Sequence, residues 1–203
     1  MAVGEVINGP VAGTPAGSGR RRDRRARNEA DRPERGRPPG ATPTARAYDE
    51  PMEDQYLSLS EVEAIARRAH RGQVDKNGHP YGEHIAAVAH GTAARGGSAA
   101  QVAAGWLHDT VEDDRLSREW LAGAALPEET KAIVDALTRR RDEPVEEYTA
   151  RILATPGALL VKRADLAHNS DPARLAVLDP ATAERLAAKY ARMRELLGLT
   201  GEL

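Results

Sequence analysis

From Ser58 to Leu197 the apolar residues recur at spacings of three and four, and no stretch alternates apolar with polar residues as a half-buried strand would. That regularity restricts this part of the chain to packed helices. In "SLSEVEAIARRAHRG", Ser60 followed by Glu63 offers a capping box, Val62, Ile65, Ala66 and Ala69 form a stripe, and Gly72 ends the turn. "QVDKNGHPYGEH" reads as a loop. Further helices are expected at 84–95, at 98–111 with Ser98 and Gln101 as a cap, at 116–125, from Pro127 onward, and at 144–154, 159–169 and 180–197. In the last, Asp179 caps, Pro180 occupies the first position, and Ala183, Leu186, Ala187, Tyr190, Met193 and Leu197 form the stripe. The fold class is therefore all-α, a bundle of seven or eight helices.

The composition fits this class. Phe is absent and aromatics are 3% of the chain, so close-packed small and aliphatic side chains must form the core. Cysteine is also absent, which excludes thiolate metal sites and leaves His, Asp and Glu as ligands. No apolar run approaches the roughly 18 residues of a membrane span, and the N-terminus lacks the charged start and apolar block of a signal peptide. No membrane partner is expected, and the default location is cytoplasmic. Residues 1–51 read as a disordered tail rich in Arg, Gly and Pro, and residues 52–203 as the folded domain, with Met52 a candidate native start. Up to Glu50 there are ten arginines against seven acids, a net of +3, which leaves −5 for the rest. A basic tail suits nucleic acid, yet interspersed acids and missing aromatics favour a solvated extension. Nothing in the sequence specifies an oligomeric state.

"WLHDTVEDD" concentrates chemistry. With 6 His and 13 Asp in the chain, about 0.4 His-Asp pairs arise by chance, so the dipeptide alone is weak. Its surroundings are stronger: if the helix continued, His108, Asp109, Glu112 and Asp113 would all face one cleft. Solvated carboxylates at a helix end are the simpler reading, but they would oppose the macrodipole. Other candidate ligands are His84, which opens the preceding helix, and Asp165, placed within the apolar "ALLVKRADLAHN". A buried carboxylate needs a partner, and for Asp165 that is either a metal or a salt bridge to Lys162 or Arg163. His84 could equally be satisfied by backbone.

The ordered set His84, His108-Asp109, Asp165 resembles the H…HD…D signature of HD-domain metal-dependent phosphohydrolases, an all-helical superfamily. Within it, "AHRGQVDKNGHPYGEH", "WLHDTVEDD" and "VKRADLAHN" are similar to the hydrolase domain of the RelA/SpoT alarmone enzymes and of small alarmone hydrolases. The usual forms there are AHxGQxRKxGxPYxxHP, LLHDxxEDT and VKLADxxHN. The resemblance covers roughly 58–197. It implies that His84, His108, Asp109 and Asp165 bind one divalent metal ion, Mn²⁺ in the family. It further implies that Glu112 and Asp113 are the catalytic acidic pair, and that Lys76 and Asn169 bind a small-molecule nucleotide substrate. A sulfur-free N₂O₂ ligand set suits Mn²⁺ and also admits Fe, Zn, Co or Mg. The implied reaction removes the 3′-pyrophosphate of (p)ppGpp, and from the 203 residues a hydrolase without a synthetase domain is expected.

Three departures stand out. Asp75 replaces an arginine that stacks on guanine in the family, Ile85 replaces a proline, and Asp114 replaces a threonine. Asp75 offers no stacking plane and would repel phosphates, so an HD phosphohydrolase acting on a different phosphorylated nucleotide is the alternative. A catalytically silent nucleotide- or partner-binding module ranks below both, because the ligand set and acidic pair are complete. His70 is expected to orient its loop, His79, His90 and His168 to be ordinary surface or packing residues, and "TRRRD" at 138–142 to be a solvated helix end.

Overall fold

The computed structural model describes residues 55–199; the tail 1–51 and Met52 lie outside them. Nine helices form among the described residues: α1 (Leu59–Ala69), α2 (Tyr81–Ala94), α3 (Ala99–Leu107), α4 (Arg118–Gly123), α5 (Glu128–Leu137), α6 (Val145–Ala154), α7 (Ala158–Asn169), α8 (Pro172–Ala176) and α9 (Pro180–Leu196). The short α8 is the one the periodicity does not reveal. Among these residues β-pairing is limited to one isolated antiparallel bridge, Val74 to Pro80, which closes the loop before α2.

The expected caps hold at Ser98 and Asp179 and move elsewhere. Ser-x-x-Glu occurs twice in register at the start of α1, and the earlier copy is used. Ser58 Oγ accepts from the Glu61 N–H, and the Ser58 N–H donates to Glu61 Oε2 at 2.8 Å. Leu57 fixes this entry, its N–H bonding the Ala125 carbonyl while it packs against the core. The displaced Glu63 pairs with Arg67 instead. Pro127 and Pro144 sit at the cap position itself, just ahead of the first turn. On α9 the stripe is buried at Leu186, Tyr190 and Met193 and continues to Leu197, but Ala187 is exposed.

The helix expected to reach Val111 stops at Leu107. Thr110, fully buried, turns back on it: its N–H and its hydroxyl both donate to the Leu107 carbonyl, at 3.0 and 2.7 Å. This satisfies a carbonyl that helix continuation would otherwise take. Residues 108–114 then proceed as successive turns, with Asp114 at φ +54. Aspartate tolerates that left-handed region better than a β-branched residue does, which accounts for Asp114. The carboxylates of Glu112 and Asp113 therefore lie beyond the helix end, and the macrodipole conflict expected of them does not arise.

Helix α2 is central, packing on α3 along one face and on α7 along another. Small residues permit this. Gly105 of α3 lies so close to α2 that a Cβ there would come within 2.9 Å of the Ala89 Cα, and Gly91 of α2 meets Ala164 of α7. Close approach of three backbones brings the start of α2, the end of α3 and the middle of α7 to one point. The core around it is aliphatic, with Val62, Ile85, Val88, Leu107, Ile133, Val134, Ile152 and Val161 fully buried.

Candidate metal and nucleotide site

Each of those three helices delivers one side chain of a type that can ligate a metal. His84 (α2), His108 (at the end of α3) and Asp165 (α7) are buried, and one donor atom from each lies within 4.8 Å of the others. His84 Nε2 and His108 Nε2 are 3.3 Å apart. Asp165 Oδ1 is 3.5 Å from the first and 3.9 Å from the second. Asp109 joins from the turn after α3, its Oδ2 at 2.9 Å from His108 Nε2 and 3.4 Å from His84 Nε2. All four expected ligands thus converge.

The surrounding hydrogen bonds orient them. His108 Nδ1 is 2.8 Å from the Gly105 carbonyl, which can only accept, so that nitrogen carries the proton and Nε2 is left to face the cluster. His84 Nδ1 lies 2.9 Å from His168 Nδ1. His168 is therefore no ordinary surface residue: burial first, then the neighbouring His84, lowers its pKa to about 4, which keeps it neutral beside a ligand. His79 and His90 are exposed, as expected. Tyr81 donates its hydroxyl to Asp109 Oδ2 at 2.6 Å and stacks on His70. Burial, and then the Asp109 charge, raises its pKa, so it remains a donor.

The charge of the cluster shows what would fit it. Asp109 and Asp165 place two carboxylates in a buried space, and Lys162 Nζ, 2.7 Å from Asp165 Oδ2, compensates one. The salt bridge considered for Asp165 thus coexists with the histidines rather than replacing them. Burial alone would lower the pKa of His108, but the carboxylates of Asp109 and Asp165 outweigh it and raise the imidazole to about 9. The pocket seeks positive charge, from a proton or a cation. Two imidazole nitrogens and two carboxylate oxygens, without sulfur, form a donor set for a divalent metal.

A cavity of about 440 Å³ opens beside the cluster, a size common for small-molecule sites. Lys76, Arg139, Lys162, Arg174 and Lys189 line it, together with Glu112, Asp113 and Asn169. Asn169 donates to Asp165 Oδ1 at 2.6 Å. Asp113 Oδ2 receives the Gln73 amide at 2.7 Å, and Gln73 is in turn held by His70 and Arg115. His70 thus orients the loop, as expected. Glu112 reaches the open face of the cavity, and its Oε2 accepts the Arg139 N–H at 2.9 Å. The cavity walls still desolvate it; burial first, then Asp109, raises its carboxyl above the ordinary value. "TRRRD" is consequently more than a solvated end, since Arg139 contributes both to this contact and to the cavity.

Sequence reasoning missed Tyr81, Gln73, His168 and Arg174. Tyr81 lies one helical turn before His84, and His168 one turn after Asp165, so helical spacing from a ligand would have pointed to both. No local signal marks Arg174.

Residues 63–197 match the family described as HD domain. A GTP pyrophosphokinase of Streptomyces coelicolor is 32% identical over 179 residues, 81% of this chain and 21% of that protein. A probable guanosine-3′,5′-bis(diphosphate) 3′-pyrophosphohydrolase of Synechocystis is 32% identical over 145 residues, 64% of this chain and 19% of that protein. A probable GTP diphosphokinase of Oryza sativa subsp. japonica is 35% identical over 119 residues, 51% of this chain and 17% of that protein. The chain spans about a fifth of the length of these curated relatives. No helix among the described residues is long and apolar enough to cross a membrane.

Proposed function

Because the chain belongs to the HD-domain family, we propose that it is a metal-dependent nucleotide phosphohydrolase that removes the 3′-pyrophosphate of (p)ppGpp, leaving GDP or GTP. The observation that carries this reading is one cavity that opens on the buried His84, His108, Asp165 cluster and is lined by a separate acidic pair and five cationic side chains. Its relatives, among them one named as a 3′-pyrophosphohydrolase, support the substrate class.

His84, His108, Asp109 and Asp165 would hold one divalent ion, Mn²⁺ by resemblance. When bound, it supplies Lewis acidity, neutralising phosphate oxygens and easing deprotonation of water. The chain's own groups provide the rest. Asp113, held by Gln73, takes the proton of the attacking water as its oxygen bonds to the phosphorus on the ribose 3′ oxygen. Glu112, its carboxyl raised, donates a proton to that 3′ oxygen as its bond to phosphorus breaks. Pyrophosphate and a free 3′-hydroxyl result. Lys76, Arg139 and Lys189 offset the charge of the phosphates, and Lys76 and Asn169 contact the nucleotide.

The test is Mn²⁺-loaded protein assayed against ppGpp, pppGpp, other 3′-phosphorylated nucleotides and dNTPs. Release of pyrophosphate and GDP from ppGpp is expected, and Asp109→Ala should lose both turnover and bound Mn²⁺. Turnover of another nucleotide without ppGpp turnover would replace the substrate. Full metal content and activity in Asp109→Ala would refute the ligand assignment.

A further inference from the structure

Arg174, like Lys162, is a cavity cation that the proposed phosphate chemistry does not use. It lies on α8, and its Nη2 donates to Asp75 Oδ2 at 2.7 Å; the two side chains are 21% and 9% exposed. Asp75 is itself fixed, since its Oδ1 accepts the N–H groups of Asn77 and His79 at 2.8 and 2.9 Å. A second tie joins the same loop to α8, from Asn77 Nδ2 to the Arg174 carbonyl at 3.2 Å. Burial works against the Asp75 charge, but the Arg174 hydrogen bond and the His79 and Asn77 N–H groups together outweigh it and hold the carboxyl below its ordinary value.

This pairing decides what the guanidinium can recognise. A cation paired with a carboxylate at hydrogen-bond distance is a weak phosphate clamp, because the carboxylate occupies one of its N–H donors and its negative charge opposes an approaching phosphate. Its flat faces are unaffected, and a guanidinium stacks on planar π systems. The neighbouring wall is apolar: Leu175 and Leu178, on and just after α8, with Leu186 and Met193 of α9, line the same cavity. A planar, charge-compensated group beside an aliphatic wall suits a flat heterocycle better than a phosphate. Lys162, the other cation paired in this way, is instead enclosed at the metal cluster.

We propose that Arg174, held in place by Asp75, is the platform on which the nucleobase of the substrate stacks, with Leu175, Leu178, Leu186 and Met193 as the apolar wall. The proposal rests on the reading of the ligand as a phosphorylated nucleotide and assigns its base end. Arg174 acts through the plane of its side chain and Asp75 as a positioning residue. Specificity for the base is thereby set by α8, while the metal cluster and acidic pair set the reaction.

Calorimetric titration of the Mn²⁺-loaded full chain with GDP and, separately, with inorganic pyrophosphate tests this without requiring turnover. Arg174→Ala should weaken GDP about tenfold, the scale of one lost base-stacking contact, and leave pyrophosphate within about twofold. Arg174→Lys, which keeps the charge and loses the plane, should behave like the alanine variant. Restoration of GDP binding by lysine, or equal weakening of both ligands, would overturn the platform. If Arg174→Ala does not fold, Leu178→Ala probes the wall with the ion pair intact, and again GDP alone should weaken. Wild-type protein that binds GDP in an Arg174-dependent way but leaves ppGpp intact would refute the proposed reaction and keep the platform. Turnover of ppGpp with Arg174-independent GDP binding would do the reverse.

Discussion

Replacing Gly105 by alanine tests whether the contact between α2 and α3 sets the geometry of the metal cluster. The new Cβ would stand 2.9 Å from Ala89 Cα and 3.3 Å from Ala89 N, whereas ordinary contact begins near 3.4 Å. Both obstacles are backbone, so no side chain can rotate away, and the helices must separate locally by about 0.5 Å. Two terms oppose each other. Alanine gains about 1 kcal/mol over glycine in a helix, while overpacking a tight core costs about 1–3 kcal/mol. A rigid backbone obstacle puts the cost toward the upper end, for a net loss of about 1–2 kcal/mol. In a domain of this size that lowers Tm by about 3–6 °C. The functional consequence is separate. His84 is carried by α2 and His108 ends α3, with their Nε2 atoms 3.3 Å apart; ligand distances tolerate only about 0.2 Å. Mn²⁺ affinity should fall by about tenfold. Calorimetric melting and metal titration read both effects. Gly91→Ala is the comparison: its Cβ meets the Ala164 Cβ and the flexible Arg95 tip, both at 3.2 Å, and should cost less. A Gly105→Ala protein as stable as wild type, with unchanged Mn²⁺ affinity, would refute the view that this close approach builds the site.

The acidic pair should separate by pH. Glu112→Gln and Asp113→Asn should each lower kcat by about 10²–10⁴-fold with Mn²⁺ content retained. If Glu112 is the proposed proton donor, its carboxyl being held above its ordinary value, wild-type activity should fall as pH rises through its pKa, and Glu112→Gln should lose this limb. The metal site should couple to protons as well. In the metal-free protein His108 titrates near 9 instead of 6.5. Its contribution to stability is therefore full below 6.5 and disappears as pH rises through about 9. Mn²⁺ displaces that proton, so its affinity should increase between pH 6.5 and 8.5, with about one proton released per ion; a pH-independent affinity would contradict this. Asp75→Arg should lower Tm, because it sets a second guanidinium against Arg174 where a salt bridge stood; an unchanged Tm would show that the pair carries no structural weight.

Much of this molecule was legible because helical periodicity and ligand chemistry are local signals. The stripe on α9 pointed to a buried face without any tertiary information, and His84, His108 and Asp165 come together with Asp109 beside the two histidines. The misreadings share a physical cause. Ser58 and Ser60 are equivalent as caps in sequence, and only the docking of Leu57 against the core distinguishes them. Nothing in "WLHDTVEDD" shows that Thr110 will take the Leu107 carbonyl and end the helix, because that choice depends on the burial of Thr110. His168 lies one turn from Asp165, but its partner, His84, is 84 positions away.

Asp75 carries the same lesson to substrate recognition. Judged within its own motif, an acid in place of an arginine removes a stacking plane and adds a charge hostile to phosphate. Both consequences assume that the residue acts alone. In the folded chain Arg174, 99 positions later, cancels the charge and brings a guanidinium to the same cavity. The carboxylate thereby changes role, from a repulsive group facing the ligand to the anchor of a planar one. Motif matching cannot detect this exchange, because it scores each position against its own column, whereas electrostatic compensation depends only on distance in space. The substitution at Asp75 is therefore weak ground for preferring a different phosphorylated nucleotide. It relocates the question of specificity to α8, the shortest helix described and the one the sequence pattern did not reveal.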